Sequence, residues 1–119
     1  MCSSDLMRRS KYGAQKTEYD GIVFDSKREA LRWRELTLLQ RAGEISDLQR
    51  QVKYILVPAQ VGDDGKVAER AVSYVADFVY RDVRSGETVV EDAKGMHTRD
   101  YIIKRKLMRY VHGIRIREV

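Results

Sequence analysis

Alternation of two side-chain faces is clearest in residues 70–81. The apolar positions of one face are Val72, Tyr74, Ala76, Phe78 and Tyr80. A period of two over this length predicts a β-strand. Because Val75 and Val79 make the other face largely apolar too, we expect this strand to lie in the middle of a sheet covered on both sides. A Ser-Gly turn at 85–86 leads into a second strand over 87–94, so the two strands should form an antiparallel hairpin.

Two more strands are predicted outside this hairpin. The first spans residues 45–57, is interrupted or loosely paired near 48–51, and ends at Pro58. Glycine and aspartate residues then predict a turn at 62–65. A short strand over 114–118 ends the chain.

Apolar residues at helical spacing predict two helices. The first spans residues 26–42, and Gly43 supplies a left-handed end. The second begins at Thr98, which can cap it, runs to about His112 and ends at Gly113. The apolar stripe of the first helix contains Leu31, Trp33, Leu36, Leu38 and Ala42, and that of the second contains Ile103, Leu107 and Val111.

These elements follow in the order helix, strand, strand, strand, helix, strand. That order predicts an α/β fold, with a small mixed central sheet flanked by helices. A chain of 119 residues has room for one such domain. We assign residues 21–119 to this domain and residues 1–20, which show no periodicity, to a flexible basic N-terminal arm that leads into a short strand or turn around 21–24. Its basic residues include Arg8, Arg9 and Lys11.

Composition narrows the class of protein and its partners. The 23 Lys and Arg residues exceed the 18 Asp and Glu residues, and the net charge of +5 favours polyanionic partners such as nucleic acid. No apolar run approaches the roughly 18 residues needed to cross a bilayer, and the N-terminus lacks the apolar stretch of a secretory signal. The single cysteine, Cys2, cannot form an internal disulfide. We therefore expect a cytoplasmic protein with no membrane partner.

Three ionisable residues of the predicted hairpin have the pattern of a metal site. Asp77 lies between the two valines of its strand face, where an uncompensated carboxylate is costly. On the next strand, Asp92 and Lys94 are two residues apart and share a face, whereas Glu91 points to the other side. If the strands pair so that Asp77 meets Asp92, two carboxylates and an ammonium group converge.

Such a cluster has a catalytic interpretation and a structural one. Two carboxylates bind Mg²⁺, or Mn²⁺, through oxygen, and the metal acidifies its bound water and neutralises charge on a phosphate. Lys94 would orient that water, stabilise the transition state as a fixed charge, or act as a general base. Alternatively, Asp77 and Lys94 form a cross-strand ion pair while Asp92 caps a turn at the sheet edge.

Glu29 is a fourth candidate with two interpretations. Ser26 followed by Glu29 is a capping-box pattern, which explains the glutamate by the start of the helix. Glu29 also shares the stripe of Trp33 and Leu36, at i, i+4 and i+7, so its carboxylate faces the interior. A helix packed beside the sheet could deliver it to the same metal. The residues alone leave both interpretations open.

The second predicted helix is rich in cations. Its basic residues are Arg99, Lys104, Arg105, Lys106 and Arg109. Together with the basic arm, Lys104 and Arg105 could follow a phosphate backbone, and Tyr101 could hydrogen-bond a phosphate or stack on a base. A solvated amphipathic face explains any single one of these residues equally well.

With these residues identified, the sequence resembles the PD-(D/E)XK nucleases, which share the restriction-endonuclease-like fold. Their signature is an acid on one strand followed by acid-x-Lys on the next, here Asp77 and Asp92-Ala93-Lys94. More closely, the stretches FDSKREA, RAGEISDLQRQVKYIL, YVADFVY and VVEDAKG, followed by a KRKL helix, resemble a family of small phage-encoded proteins of unassigned function, similar to Holliday-junction resolvases. This similarity runs from about Lys11 onward. An alanine stands where the motif has its proline.

The resemblance implies roles for individual residues. By analogy with other members of the superfamily, Asp77 and Asp92 would bind Mg²⁺, and Lys94 would assist hydrolysis. Several members supply a first-helix glutamate to the metal, which favours Glu29 as a ligand, and the carbonyl of Ala93 would be a further ligand. Small members include Holliday-junction resolvases and transposon end-cleaving endonucleases.

The expected function is that of a Mg²⁺-dependent endonuclease that hydrolyses DNA phosphodiesters in recombination, replication or genome processing. The expected source is a phage, and the expected location is the cytoplasm of its bacterial host. So small a chain has little surface for reading sequence, which favours a structure-specific substrate or a phage or host partner protein. A homodimer would supply two sites for two strands. The alternatives are a nucleic-acid-binding module without catalysis and a phage structural or interaction protein.

Overall fold

The computed structural model describes residues 16–93 and 97–119. A four-stranded sheet, two helices and two small hairpins make up the described protein. In chain order the elements are β1 (Thr17–Tyr19), β2 (Ile22–Phe24), α1 (Lys27–Arg41), β3 (Ile45–Val57), β4 (Gln60–Val61), β5 (Val67–Glu69), β6 (Val72–Asp82), β7 (Thr88–Asp92), α2 (Arg99–His112) and β8 (Arg117–Glu118).

The central sheet is mixed, as the sequence predicts. Its strand order is β3-β6-β7-β8, with β6 and β7 in the middle. β6 pairs antiparallel with both β3 and β7, and β8 pairs parallel with β7. The predicted α/β class, the central position of β6 and the β6–β7 hairpin are therefore confirmed.

Each face of the sheet packs against one helix. Val79 and Val90 lie in a core with Met108 of α2. Phe78, the neighbour of Val79 on β6, lies in a second core with Leu36 of α1. Because consecutive strand residues point to opposite faces, the sheet is the middle layer between the two helices.

The ends of both helices follow the predicted capping residues. The Ser26 side chain accepts a hydrogen bond at the start of α1, and Gly43, just beyond its end, has φ +80°. Thr98 accepts a hydrogen bond at the start of α2, and Gly113 ends it with φ +68°. Left-handed backbone favours glycine, which explains why these two positions mark the ends so clearly. Neither described helix has the length and apolar composition needed to cross a membrane.

The buried face of α1 differs from the predicted stripe. Leu31 and Leu38 are 50% and 55% exposed, whereas Ala30, Leu36 and Glu29 are buried. Leu31 and Leu38 are more hydrophobic than Glu29, so the sequence favours their side of the helix. Leu31 lies on the opposite side of the helix from Glu29 and Leu36, so both sides cannot face the sheet. The prediction is therefore wrong for Leu31 and Leu38.

The same correction applies to α2. Ile103 and Val111 are 55% and 46% exposed, and the buried residues are Tyr101 and Met108. Tyr101 and Met108 are seven residues apart, which is a helical repeat in its own right. Leu107 packs at the margin of the core.

Two small hairpins add strands to the predicted elements, and one of these strands, β2, lies where the sequence predicts a short strand or turn. β4 and β5 flank the predicted turn at 62–65. β1 pairs antiparallel with β2 and contacts α1, so residues 17–19 belong to the folded part rather than to the predicted arm. Arg8, Arg9 and Lys11 lie outside the described residues.

Candidate active site

Asp77 and Asp92 lie opposite each other where the β6–β7 ladder ends. The register pairs Phe78 with Glu91, so the next step places Asp77 beside Asp92. The Oδ2 atom of Asp77 accepts a hydrogen bond of 2.8 Å from the backbone N–H of Ala93. Asp77 and Asp92 are only 6% and 1% exposed. The structure thus brings together the two aspartates of the predicted cluster.

Tyr74 fixes the orientation of Asp92. Its hydroxyl donates a hydrogen bond of 2.6 Å to Oδ2 of Asp92, and the tyrosine is buried. Burial, and then the hydrogen bond to Asp92, raise the pKa of Tyr74 well above its usual value, so the phenol keeps its proton and remains a donor. Asp92 therefore does not cap a turn at an exposed edge. Sequence reasoning missed Tyr74 because it reads as an ordinary apolar strand position.

Strands β3 and β6 lose their regular alternation at the level of Asp77. On β3, Arg50 pairs with Phe78 and Val52 pairs with Ala76. Gln51 lies between these two pairs and has left-handed backbone with φ +56°. On β6, Ala76 and Val79 pack in one core although they are three residues apart, and Val75 is 40% exposed. The prediction that Asp77 shares one continuous face with Val75 and Val79 is therefore wrong. The irregularity falls within the interruption that the sequence predicts near 48–51.

Glu29 combines its two predicted roles. Its backbone N–H donates a 3.2 Å hydrogen bond to Oγ of Ser26, so the helix start is capped. Its carboxylate is buried and accepts a 3.2 Å hydrogen bond at Oε1 from the side-chain amide of Gln51. The cap therefore explains the backbone of Glu29, and its side chain lies near enough to Asp77 for their charges to interact. Gln51 is a second residue of the site that the sequence pattern did not identify.

The electrostatic environment of Glu29 is strongly negative. Burial, and then the charges of Asp77 and Asp25, raise the pKa of Glu29 to about 7, while the charge of Arg50 opposes them. A carboxyl with this pKa is about half protonated at neutral pH. Glu29 and Asp77 thus repel each other when both are ionised, which is the condition that a bound cation relieves.

The raised pKa makes the stability of the metal-free protein depend on pH. Glu29 has its ordinary value of 4.5 in the unfolded chain and about 7 in the folded state, so the folded state binds more protons between these values. We expect the free energy of unfolding to fall as pH rises from about 4.5 to about 7, and to level off above. The glutamine side chain of Glu29→Gln stays neutral at every pH. The variant should therefore lose the fall in the free energy of unfolding between pH 4.5 and about 7. Urea unfolding in EDTA at several pH values measures the free energy of unfolding of the wild type and of Glu29→Gln. An equal dependence on pH in the two proteins would contradict the expectation.

Glu91, next to Asp92, has a different environment on the other face of β7. Arg32 donates to both oxygens of the Glu91 carboxylate, from Nε at 2.8 Å and Nη2 at 2.6 Å. The Tyr80 hydroxyl donates to the same carboxylate, and Arg117 lies 4.0 Å away. Both oxygens of the Glu91 carboxylate therefore have partners within the protein, and the contact with Arg32 links β7 to α1. Strand alternation correctly separates it from Asp92.

The donor chemistry of the site suits a hard cation, although the described cluster is small. Carboxylate oxygens are the ligands that Mg²⁺ prefers, and one or two carboxylates with substrate phosphates are a common ligand set. Among residues 16–93 and 97–119, no three His, Cys, Asp or Glu side chains form a group that could hold a metal ion. Asp77 and Asp92 are thus the best-fitting ligands, with Glu29 adjacent. Lys94 lies outside the described residues.

Two of the three predicted nucleic-acid-binding residues of α2, Tyr101 and Arg105, have partners within the protein. Tyr101 is buried, and its hydroxyl donates a 2.7 Å hydrogen bond to Oε2 of Glu118. Arg105 donates to the same oxygen at 3.1 Å. The Tyr101 hydroxyl is thus used within the protein, and its contact with a base or a phosphate stays a prediction from the sequence. Lys104 lines a groove of about 500 Å³ together with Tyr74.

Comparison with known proteins assigns a family. A family model described as "protein of unknown function (DUF1064)" matches residues 9–117. The chain belongs to the DUF1064 family. The match includes Glu29, Asp77 and Asp92, so these residues lie within the DUF1064 domain. No curated protein and no solved structure shows a match. The function of this DUF1064 protein must therefore be inferred from its site.

Proposed function

We propose that the protein is a metal-dependent endonuclease that hydrolyses DNA phosphodiester bonds, with a restriction-endonuclease-like arrangement of its site. One observation carries the proposal. Asp77 and Asp92, both buried, lie side by side on neighbouring strands with Glu29 close enough to repel Asp77. Adjacent buried carboxylates are unfavourable unless a cation or hydrogen-bond donors compensate them. A divalent cation is the ligand that suits such a cluster, and the cation can in turn bind a phosphate oxygen.

Asp77 and Asp92 would hold Mg²⁺, or Mn²⁺, with the carbonyl of Ala93 as a further ligand and the Glu29 carboxyl nearby. When bound, the metal supplies an acidified water and neutralises charge on the phosphate. The net charge of +5 is consistent with a polyanionic substrate.

Residues of the chain itself arrange the carboxylates. Tyr74 holds Asp92, and the N–H of Ala93 holds Asp77, each through a short hydrogen bond. Gln51 holds Glu29, whose pKa of about 7 lets its carboxyl take up or release a proton near neutral pH. The part of Lys94 in hydrolysis stays a prediction from the sequence.

The proposal extends to the biological setting. A phage origin, action in the cytoplasm of the bacterial host, and a branched DNA substrate follow from the resemblance to small resolvases. A homodimer would place two sites on two strands, and a phage or host protein would direct the enzyme. Each of these statements depends on the nuclease activity itself.

Cleavage of a DNA panel tests the proposed activity. Labelled linear, flapped and four-way DNA is incubated with the protein in Mg²⁺, in Mn²⁺ and in EDTA. We expect cutting of at least one substrate with either metal and none in EDTA. Asp63→Asn, which neutralises an exposed aspartate in the 62–65 turn, serves as the matched charge control and should cut normally.

The panel also separates the alternatives. Salt-dependent DNA binding without any cutting would replace the nuclease by a nucleic-acid-binding module. Absence of both binding and cutting would favour a structural or interaction protein.

A further inference from the structure

Arg50 is a cation beside the carboxylate cluster with unused hydrogen-bond donors. It lies on β3 and pairs with Phe78, the residue that follows Asp77. Its Nε atom is buried and has no hydrogen-bond partner among the described residues. Within residues 16–93 and 97–119, its guanidinium takes part in none of the hydrogen bonds or ion pairs of the site. A buried donor without a partner is unfavourable, so the position calls for an acceptor.

The Arg50 guanidinium lies against Phe24 and interacts electrostatically with Glu29. Its central carbon lies 4.7 Å from the ring centroid of Phe24, which is fully buried. A cation over an aromatic face is attracted by the ring, so this contact helps to hold the guanidinium in place. The charge of Arg50 also lowers the pKa of Glu29, so the cation acts on the carboxylate cluster.

The irregular backbone at Gln51 explains how neighbouring residues serve one site. In a regular strand Arg50 and Gln51 would point to opposite faces. Gln51 has φ +56°, and its side chain reaches Glu29, the carboxylate that also feels the charge of Arg50. A left-handed non-glycine residue is a local strain that is often found at functional sites.

We propose that the Arg50 guanidinium binds a phosphate of the nucleic-acid strand at the carboxylate site. Phosphate is the acceptor that matches a guanidinium fork, because two parallel N–H groups meet two oxygens. A carboxylate cluster alone repels a phosphodiester, and a fixed cation offsets that repulsion. The inference rests on the proposed nuclease function and names the residue that receives the substrate.

Nuclear magnetic resonance of the ¹⁵N-labelled full chain tests this contact without any cleavage. The Nε–H signal of Arg50 is assigned by its loss in Arg50→Lys. The wild type is titrated in EDTA with thymidylyl-thymidine, which has one phosphodiester, with thymidine, which has none, and with NaCl at matched ionic strength. We expect a saturable shift of the Arg50 signal with the phosphodiester only.

DNA binding and cutting give the second measurement. Arg50→Lys keeps the charge but loses the planar fork, and should raise the Kd for DNA by roughly tenfold, the effect of one charge-assisted hydrogen bond. Arg34→Lys changes an exposed arginine on α1 and is the matched control. Its Kd should equal that of the wild type.

The outcomes separate this inference from the nuclease proposal. A phosphodiester-specific shift in a protein that cuts no DNA would retain the Arg50 contact and reject the nuclease. Cutting by the wild type with no shift and an unchanged Kd in Arg50→Lys would retain the nuclease and reject the contact. A weaker Kd in Arg50→Lys with a lowered unfolding temperature and no shift in the wild type would show a structural role and also reject the contact.

Discussion

Asp92→Asn should reduce the rate of DNA cleavage by roughly a thousandfold, because metal-assisted charge stabilisation contributes several kcal/mol and each 1.36 kcal/mol is about tenfold in rate. Asparagine keeps the shape of the side chain and still offers an oxygen to the Tyr74 hydroxyl, which donates at 2.6 Å in the wild type. The fold should therefore survive while the negative charge is lost.

Asp77→Asn should have a similar effect on cleavage for the same reason. Asp77 accepts the Ala93 N–H at Oδ2, and an asparagine oxygen can still accept it. Single-turnover cleavage in Mg²⁺, together with urea unfolding, measures rate and stability in both variants. Asp63→Asn provides the control for loss of one negative charge. A folded Asp92→Asn protein that cuts as fast as the wild type would remove Asp92 from the active site.

Tyr74→Phe refines this result. It removes the hydrogen bond to Asp92 and leaves the carboxylate in place. We expect a smaller loss of rate than in Asp92→Asn, with the remaining activity still dependent on metal. An effect as large as that of Asp92→Asn would give Tyr74 a direct part in the reaction.

Arg32→Met should destabilise the protein by about 3–5 kcal/mol, since removing one partner of a buried ion pair leaves an uncompensated charge. Glu91 is fully buried, and Arg32 binds both of its oxygens. The Tyr80 hydroxyl is neutral, and Arg117 lies 4.0 Å away and is largely exposed, so neither matches the two short hydrogen bonds of Arg32. The midpoint and slope of urea unfolding measure the loss.

The double variant Arg32→Met, Glu91→Gln tests whether the uncompensated charge of Glu91 causes the loss of stability. Removing both charges should recover part of the lost stability, because the buried glutamine is neutral. Glu35→Gln, which changes the exposed partner of Arg32 3.6 Å away, is the control and should cost less than about 1 kcal/mol. A loss below about 1 kcal/mol in Arg32→Met itself would show that Glu91 keeps sufficient partners without it.

The sequence predicted what depends on local periodicity. Strand alternation separated Glu91 from Asp92 and allowed Asp77 and Asp92 to meet if the strands paired suitably, and the capping residues located the ends of both helices. These features follow from neighbours along the chain. The α/β class with a mixed sheet follows from the order of the elements.

What the sequence did not predict depends on contacts between distant segments. Tyr74 and Arg50 look like ordinary strand residues until the register of three strands is known. Gln51 acquires its position through a left-handed backbone that no residue type enforces. Leu31 and Leu38 misled the prediction because hydrophobicity indicates an apolar residue but not which of several lines of a helix meets the sheet.

The fork between Arg32 and Glu91 also bears on how the chain reaches the correct alignment. A slip of β7 by one residue would exchange the two faces of the strand and bring Glu91 to the position of Asp92. Both residues are acidic, so apolar burial alone discriminates poorly between the two alignments. Only the correct alignment gives the glutamate its two-pronged cation. The contact between Arg32 and Glu91 thus favours the alignment that places Asp92 beside Asp77.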